Sequence, residues 1–287
     1  MRPQIVLFGD SITEQSFRSG GWGASLADTY SRKADVFNRG YGGYNTRWAL
    51  FLLHHIFPLD GRKAPIAATV FFGANDAALL GRTSERQHVP VDEYKENLRK
   101  IVKHLKVQLR SSDYCNRSET ALSRILCQHC FWLQQLNLCD TELAHENFFV
   151  QESSPAILVV LITPPPVDEP GRKAYAMSVY GEKAMEHPER TNDMAGVYAQ
   201  HCVDLAKELG VRSINLWSKM QETDGWQQNY LSDGLHLTPE GNAVVFEEVV
   251  KVFSEAWLSP AEMPLDFPHH SQIEGENPEK AFQHLCL

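Results

Sequence analysis

The sequence predicts a three-layer α/β/α sandwich built around a five-stranded parallel β-sheet. Short apolar runs without charged residues, typical of buried strands, alternate with longer segments in which apolar residues recur at helical spacing. Strands that alternate with helices favour a parallel sheet covered by helices on both faces. The predicted strands cover residues 5–8, 35–37, 66–72, 155–162 and 211–216.

Helical spacing and capping residues define the segments between these strands. Trp22, Leu26 and Tyr30 stand four residues apart, which places them on one face of a helix. Thr238 and Pro239 are typical of the N-cap and the first position of a helix. The predicted helices cover residues 22–30, 46–57, about 90–109, 191–209 and a last segment that begins at residue 239.

Composition and charge exclude several classes of protein. The chain has 287 residues, of which 43% are hydrophobic and 22% charged, as in ordinary globular domains. Its net charge of −9 argues against a nucleic-acid partner, which would usually require a basic surface. No stretch approaches the roughly 18 apolar residues of a membrane span, and the residues before the first predicted strand do not show the pattern of a signal peptide. These observations predict a cytoplasmic protein, and they leave its oligomeric state open.

One segment does not fit the alternation of strands and helices. About 45 residues, 108–152, separate a predicted helix from the next strand, whereas such connections usually have about 2–6 residues. The segment could be a zinc module, with His129 or His145 as a further ligand, or an insertion looped out of a complete domain. Zinc modules usually need two paired motifs, and only one pair is present, so we favour the insertion. The cysteines in question are Cys115, Cys127, Cys130 and Cys139.

The predicted organisation is therefore a single domain over residues 1–258, interrupted at about 108–152. Residues 259–287 are rich in proline and acidic side chains. This composition predicts a loosely packed C-terminal tail.

The first strand is followed by the turn Gly9-Asp10-Ser11. Ligands of open α/β sheets bind at the carboxyl ends of the strands, so the Ser11 hydroxyl is placed where it can meet a substrate. Ester hydrolysis by a serine requires a base, a group that orients the base, and donors for the oxyanion. The same tripeptide is also an ordinary turn, so Ser11 alone decides little.

His236 is the candidate base because Asp233 precedes it by three residues. In a turn, this spacing can place the carboxylate against one ring nitrogen while the other faces the nucleophile. The alternative interpretation is a polar turn before a helix.

Three groups are candidate oxyanion donors. The backbone N–H of Ser11 opens a turn, Gly43 lies in a glycine-rich turn that allows close approach of the backbone, and Asn75 follows the central strand. Taken singly, Gly43 and Asn75 could equally be ordinary turn residues.

These four blocks, in this order, resemble the SGNH (GDSL-type) hydrolase family. The resemblance implies a flavodoxin-like fold, with Ser11 as nucleophile, Gly43 and Asn75 in the oxyanion hole, and Asp233 and His236 completing the triad. It covers about residues 3–107 and 155–258 and is closest to plant-type members of the isoamyl acetate-hydrolysing esterase branch. The blocks that carry this narrower resemblance are residues 20–24, 45–48, 71–76, 162–168, 190–192 and 231–237.

The resemblance further implies hydrolysis of short-chain, acetate-type esters of small molecules, without a metal or an organic cofactor. Acyl transfer, deacetylation and thioester hydrolysis by the same residues remain alternatives. Another alternative is a catalytically inactive, splice-like variant that acts only as a binding protein.

Overall fold

Five parallel strands form one sheet in the order β2-β1-β3-β4-β5. The computed structural model describes residues 2–59, 64–117 and 157–282, with residues 108–117 described by their backbone alone. The predicted five-stranded parallel sheet is thus confirmed. The strands are β1 (Gln4–Gly9), β2 (Asp35–Gly40), β3 (Ala67–Phe71), β4 (Leu158–Ile162) and β5 (Arg212–Ile214).

Helices cover both faces of the sheet, and each of the five predicted helices is present. The described α-helices are α1 (Ser11–Glu14), α2 (Trp22–Thr29), α3 (Thr46–Ile56), α4 (Val91–Arg117), α5 (Glu169–Tyr180), α6 (Asn192–Leu209), α7 (Leu216–Met220), α8 (Trp226–Tyr230) and α9 (Pro239–Ala256). Within the described segments, no helix combines the length and apolar character needed to cross a bilayer.

Alternate residues of β1 enter two separate hydrophobic cores. Ile5 and Leu7 pack with α2 and α9 on one face of the sheet, whereas Val6 and Phe8 pack with α3, α4 and α6 on the other. This alternation follows from the two-residue period of a strand, and burial on both faces explains why β1 carries no charged residue.

Helix α4 is longer than its apolar pattern predicts. The pattern ends near Leu109, but the helix continues to Arg117, through residues that are mostly polar. Side chains of residues 108–117 and all of residues 118–156 lie outside the described residues, and so does the predicted zinc module. Among the side chains that are described, no group of three or more His, Cys, Asp or Glu could hold a metal ion.

The segment after α9 contacts the rest of the domain through Asp266. Its carboxylate accepts hydrogen bonds from Arg2 at 2.7 Å and from Arg32 at 3.2 Å, and its N–H donates to the carbonyl of Arg32. Arg32 adopts a positive φ of 63°. We propose that residues 1–258 form one domain and that this segment packs against it through these hydrogen bonds.

Parallel pairing brings the carboxyl ends of three strands to one level. Gly9 of β1 lies opposite Gly40 of β2 and Phe71 of β3. A Cβ at Gly40 would stand 1.9 Å from the backbone nitrogen of Glu14, so this position requires glycine. The loops that leave these three strands therefore begin side by side.

We expect Phe8→Ala to lower the free energy of unfolding by about 3–5 kcal/mol, because it leaves a cavity in a packed aromatic cluster. Phe8 is fully buried, and its ring meets those of Phe57 and Phe72 edge to face at 5.6 and 4.9 Å between centroids. Urea unfolding measures the change. The matched control is Phe51→Ala, at a side chain that is 77% exposed, which should change stability by less than about 0.5 kcal/mol. Equal losses in the two variants would contradict this placement of β1.

Candidate active site

Ser11, His236 and Asp233 form a continuous line of hydrogen bonds. Ser11 is the first residue of α1, directly beyond β1, whereas His236 and Asp233 lie in the loop between α8 and α9. Ser11 Oγ is 3.0 Å from His236 Nε2, and His236 Nδ1 is 2.8 Å from Asp233 Oδ2. A hydroxyl, an imidazole and a carboxylate at these distances can transfer the hydroxyl proton to the ring.

The loop that holds Asp233 is fixed by its own backbone. Asp233 Oδ1 accepts hydrogen bonds from the N–H groups of Leu235 and His236 at 3.0 and 2.8 Å. Between Asp233 and Leu235, Gly234 has a φ of +81°, and a Cβ there would lie 2.4 Å from the carbonyl oxygen of Asp168. One carboxylate thus shapes the turn with one oxygen and orients the imidazole with the other.

The Asp233 carboxylate stays ionised. Burial acts to raise its pKa, but the hydrogen bond and charge of His236 and the charge of Arg172 outweigh it and hold the pKa well below its usual range. Arg172 Nη1 lies 3.0 Å from Asp233 Oδ2. An ionised carboxylate at Nδ1 stabilises the imidazolium that forms when the ring accepts a proton.

Asn75 and Gly43 meet through the backbone of Tyr44. Asn75 follows β3, is buried, and donates from Nδ2 to the carbonyl of Tyr44 at 2.8 Å. Gly43 has a φ of +76°, a conformation that favours glycine. The two candidate oxyanion residues are therefore tied to each other across the ends of two strands.

Two further carboxyl groups lie buried behind these loops. Burial raises the pKa of Asp10 to about 6, although the N–H of Ile12 and the charges of His236 and Arg190 oppose it. Burial also raises the pKa of Asp76 to about 7, against hydrogen bonds from the hydroxyl and the N–H of Thr46. Asp76 thereby joins the end of β3 to the start of α3.

Four side chains that the sequence did not single out as functional complete the surroundings of the site. Arg172 and Arg190 both contact Glu189, and Arg190 also contacts Asn75 and Gln87. Arg190 stands in one of the blocks that carried the family resemblance, but nothing in the sequence indicated its partners. Gln87 gave no signal, since it lies in a polar connection between β3 and α4.

A protein-family model described as GDSL-like Lipase/Acylhydrolase matches residues 5–249. The chain therefore belongs to this family, which confirms the resemblance seen in the sequence, and it is a carboxylic ester hydrolase.

Two named esterases are similar to the chain over nearly its whole length. A GDSL esterase/lipase of Arabidopsis thaliana is 63% identical over 287 residues, which cover 100% of both chains. The isoamyl acetate-hydrolyzing esterase 1 homolog of Bos taurus is 36% identical over 278 residues, covering 96% of this chain and 90% of that protein.

Solved structures agree on the fold. The lipase/acylhydrolase from Enterococcus faecalis superposes with a TM-score of 0.56 at 19% identity, covering 92% of this chain and 98% of its own. An acetyl xylan esterase gives a TM-score of 0.53 at 16% identity, with coverage of 87% and 98%. At these identities the likeness supports the sandwich architecture alone.

We expect Asp76→Asn to remove part of the pH dependence of stability. The pKa of Asp76 rises from 3.8 to about 7 on folding, so the folded state holds a proton that the unfolded state releases between these values. The wild type should therefore lose stability relative to Asp76→Asn as pH rises from about 4 to about 7, by up to about 1.4 kcal/mol per pH unit, and level off above.

Urea unfolding of both proteins across this range measures the difference. Asp28→Asn, on the exposed side of α2, controls for the loss of one carboxylate as such. A wild type that gains stability relative to Asp76→Asn as the pH rises would contradict the burial of a protonated Asp76.

Proposed function

We propose that this protein is a serine esterase that hydrolyses short-chain, acetate-type carboxylic esters through an acyl-enzyme. The observation that carries the proposal is the line from Ser11 Oγ through His236 to Asp233, with contacts of 3.0 and 2.8 Å. The likeness to esterases named for isoamyl acetate, at 36% identity, supports the acetate-type substrate.

The first half of the reaction forms the acyl-enzyme. Ser11 Oγ attacks the ester carbonyl carbon while His236 Nε2 accepts the hydroxyl proton, and Asp233 stabilises the resulting imidazolium. The carbonyl oxygen becomes an oxyanion, which the N–H groups of Ser11 and Gly43 and the side-chain amide of Asn75 stabilise. The tetrahedral intermediate then collapses, and the alkoxide leaves with the proton that His236 returns to it.

The second half releases the acid. His236 takes a proton from a water molecule, whose oxygen attacks the acyl carbon on Ser11. The same donors stabilise the second oxyanion. Collapse breaks the bond to Ser11 Oγ, which recovers its proton from His236, and no metal or organic cofactor enters any step.

Ser11→Ala should lower the kcat for p-nitrophenyl acetate by about 10⁴-fold or more, because an alanine side chain has no hydroxyl to carry the acyl group. A fluorophosphonate, which labels activated serines, should label the wild type and not this variant. Ser25→Ala is the matched control, since the Ser25 hydroxyl bonds only within α2 and its entry turn, to the carbonyl of Gly21. Normal hydrolysis by a folded Ser11→Ala protein would refute the mechanism.

Asn75→Ala should lower kcat by about 10²–10³-fold and leave KM nearly unchanged, because the lost donor stabilises charge that develops only in the transition state. Steady-state kinetics on the same ester separate the two parameters. Asn215→Ala controls for loss of a structural amide, since Asn215 caps α7 through Ser218, and it should alter stability without altering kcat. A rise in KM at constant kcat for Asn75→Ala would assign that residue to substrate binding instead.

A further inference from the structure

A single buried guanidinium contacts Asn75, the side-chain donor of the proposed oxyanion hole, and Gln87, which in turn contacts Gly43. Arg190 is 4% exposed. Its Nη2 donates to Asn75 Oδ1 at 3.0 Å and to Gln87 Oε1 at 2.6 Å, and its Nε donates to the carbonyl of Ala74 at 2.6 Å. Arg190 lies just before α6, so these contacts join the start of α6 to the connection that follows β3.

The contact with Arg190 decides which way the amide of Asn75 faces. A guanidinium has only donors, so it favours the amide oxygen of Asn75 as its neighbour. It disfavours the flipped orientation of the amide, which would set the NH₂ group against it. With Oδ1 held, Nδ2 donates one hydrogen to the carbonyl of Tyr44 at 2.8 Å. The second N–H of the same nitrogen has no acceptor among the described residues, so it can donate to an oxyanion.

Gln87 connects Arg190 to Gly43 through the two ends of its side-chain amide. Its Oε1 is held by Arg190, so its Nε2 faces the other way and donates to the carbonyl of Gly43 at 3.1 Å. The backbone carbonyl of Gln87 in turn accepts a hydrogen bond from Asn45 at 2.9 Å. The turn that contains Gly43 is therefore held by two bonds to one residue.

Glu189 fixes the position of the guanidinium and connects it to the triad. Glu189 Oε1 lies 2.8 Å from Arg190 Nη1 and 2.6 Å from Arg172 Nη2, and Arg172 Nη1 lies 3.0 Å from Asp233 Oδ2. Charges buried in this way are tolerated because each is paired and hydrogen-bonded. Ion pairs therefore connect the triad carboxylate to Arg190, and hydrogen bonds connect Arg190 to Asn75 and Gln87.

We propose that Arg190 is a positioning residue for ester hydrolysis: directly through Asn75, and through Gln87 to Gly43, it holds the oxyanion donors in place before the substrate binds. This inference rests on the proposed function, since it presumes that Asn75 and Gly43 stabilise an oxyanion. Arg190 itself touches neither the substrate nor Ser11. Donors that are fixed in advance lower the barrier because the site does not reorganise as charge develops.

The test compares Arg190→Met, Arg190→Lys and Gln87→Met with wild type. The readouts are kcat and KM for p-nitrophenyl acetate, counted per site that a fluorophosphonate labels, and the inhibition constant of phenylboronic acid. Boron accepts Ser11 Oγ and becomes a tetrahedral anion, so its affinity reports on the oxyanion donors. Arg99→Met is the matched control, since Arg99 pairs with Glu96 and Glu208 on a remote surface.

Arg190→Met should lower kcat about 10²-fold, weaken phenylboronic acid by a similar factor, and leave KM within about threefold. Gln87→Met should lower kcat about tenfold because only the Gly43 arm is lost, and Arg190→Lys should fall between wild type and Arg190→Met because an ammonium can reach one acceptor. Arg99→Met should leave all three readouts unchanged.

Two results would overturn the inference alone: wild-type kcat per labelled site in Arg190→Met, or an unchanged boronate inhibition constant. Either would reduce Arg190 to a structural residue whose loss lowers only the melting temperature and the labelled fraction. If Arg190→Met does not fold, Gln87→Met decides, since Gln87 is uncharged and half-buried. Failure of the wild type to hydrolyse esters and to label would instead overturn the proposed function, and the inference with it.

Discussion

The register of three parallel strands is the constraint on which the site depends. Because Gly9, Gly40 and Phe71 are paired across the sheet, the residues that follow them start at one level and on one edge. Ser11 comes two residues after β1 ends, Gly43 three after β2, and Asn75 four after β3. A slip of one residue in the register of either strand pair would shift one loop by about 3.3 Å along the strand direction. This shift is larger than the length of a hydrogen bond.

Polar side chains at the carboxyl ends of these strands are buried in the interior, and hydrogen bonds to neighbouring groups compensate for their burial. Asp76 accepts two bonds from Thr46, and Asn97 donates to the Thr46 hydroxyl at 3.2 Å. Asp10 caps α1 through the N–H of Ile12. Both carboxyl groups keep raised pKa values because burial still outweighs these bonds. They hold the loop ends firmly while adding little negative charge near the site at slightly acidic pH.

The sequence predicts those parts of the fold whose signal is local. Strand β1 is buried on both faces, so a run of four apolar residues identifies it. Helix α5 was missed because Pro170 and Gly171 in its first turn resemble a loop, and because its large apolar side chains are exposed rather than arranged in a buried stripe. Helix α4 was predicted too short because its last residues are polar and carry no period.

Some contacts of the candidate site could also be predicted from local sequence, whereas others depend on the tertiary fold. Asp233 and His236 are three residues apart, so a turn can bring them together and the spacing is visible in the sequence. Glu189 pairs not only with its neighbour Arg190 but also with Arg172, 17 residues earlier, and Arg190 contacts Gln87 across 103 residues. Such contacts have no period or spacing, since the fold alone determines which charged residues become buried together.

Charged groups suit this network better than apolar ones would, despite the cost of burying them. An apolar core can fix the position of a side chain but cannot decide which end of an amide faces the substrate. The side-chain amides of Asn75 and Gln87 have two ends of nearly equal size and opposite hydrogen-bonding character, so a neighbour that donates without accepting can orient both. Arg190 is such a neighbour, and Glu189 makes its burial tolerable. The ion pairs contribute little to stability by this reasoning and much to the orientation of two amides.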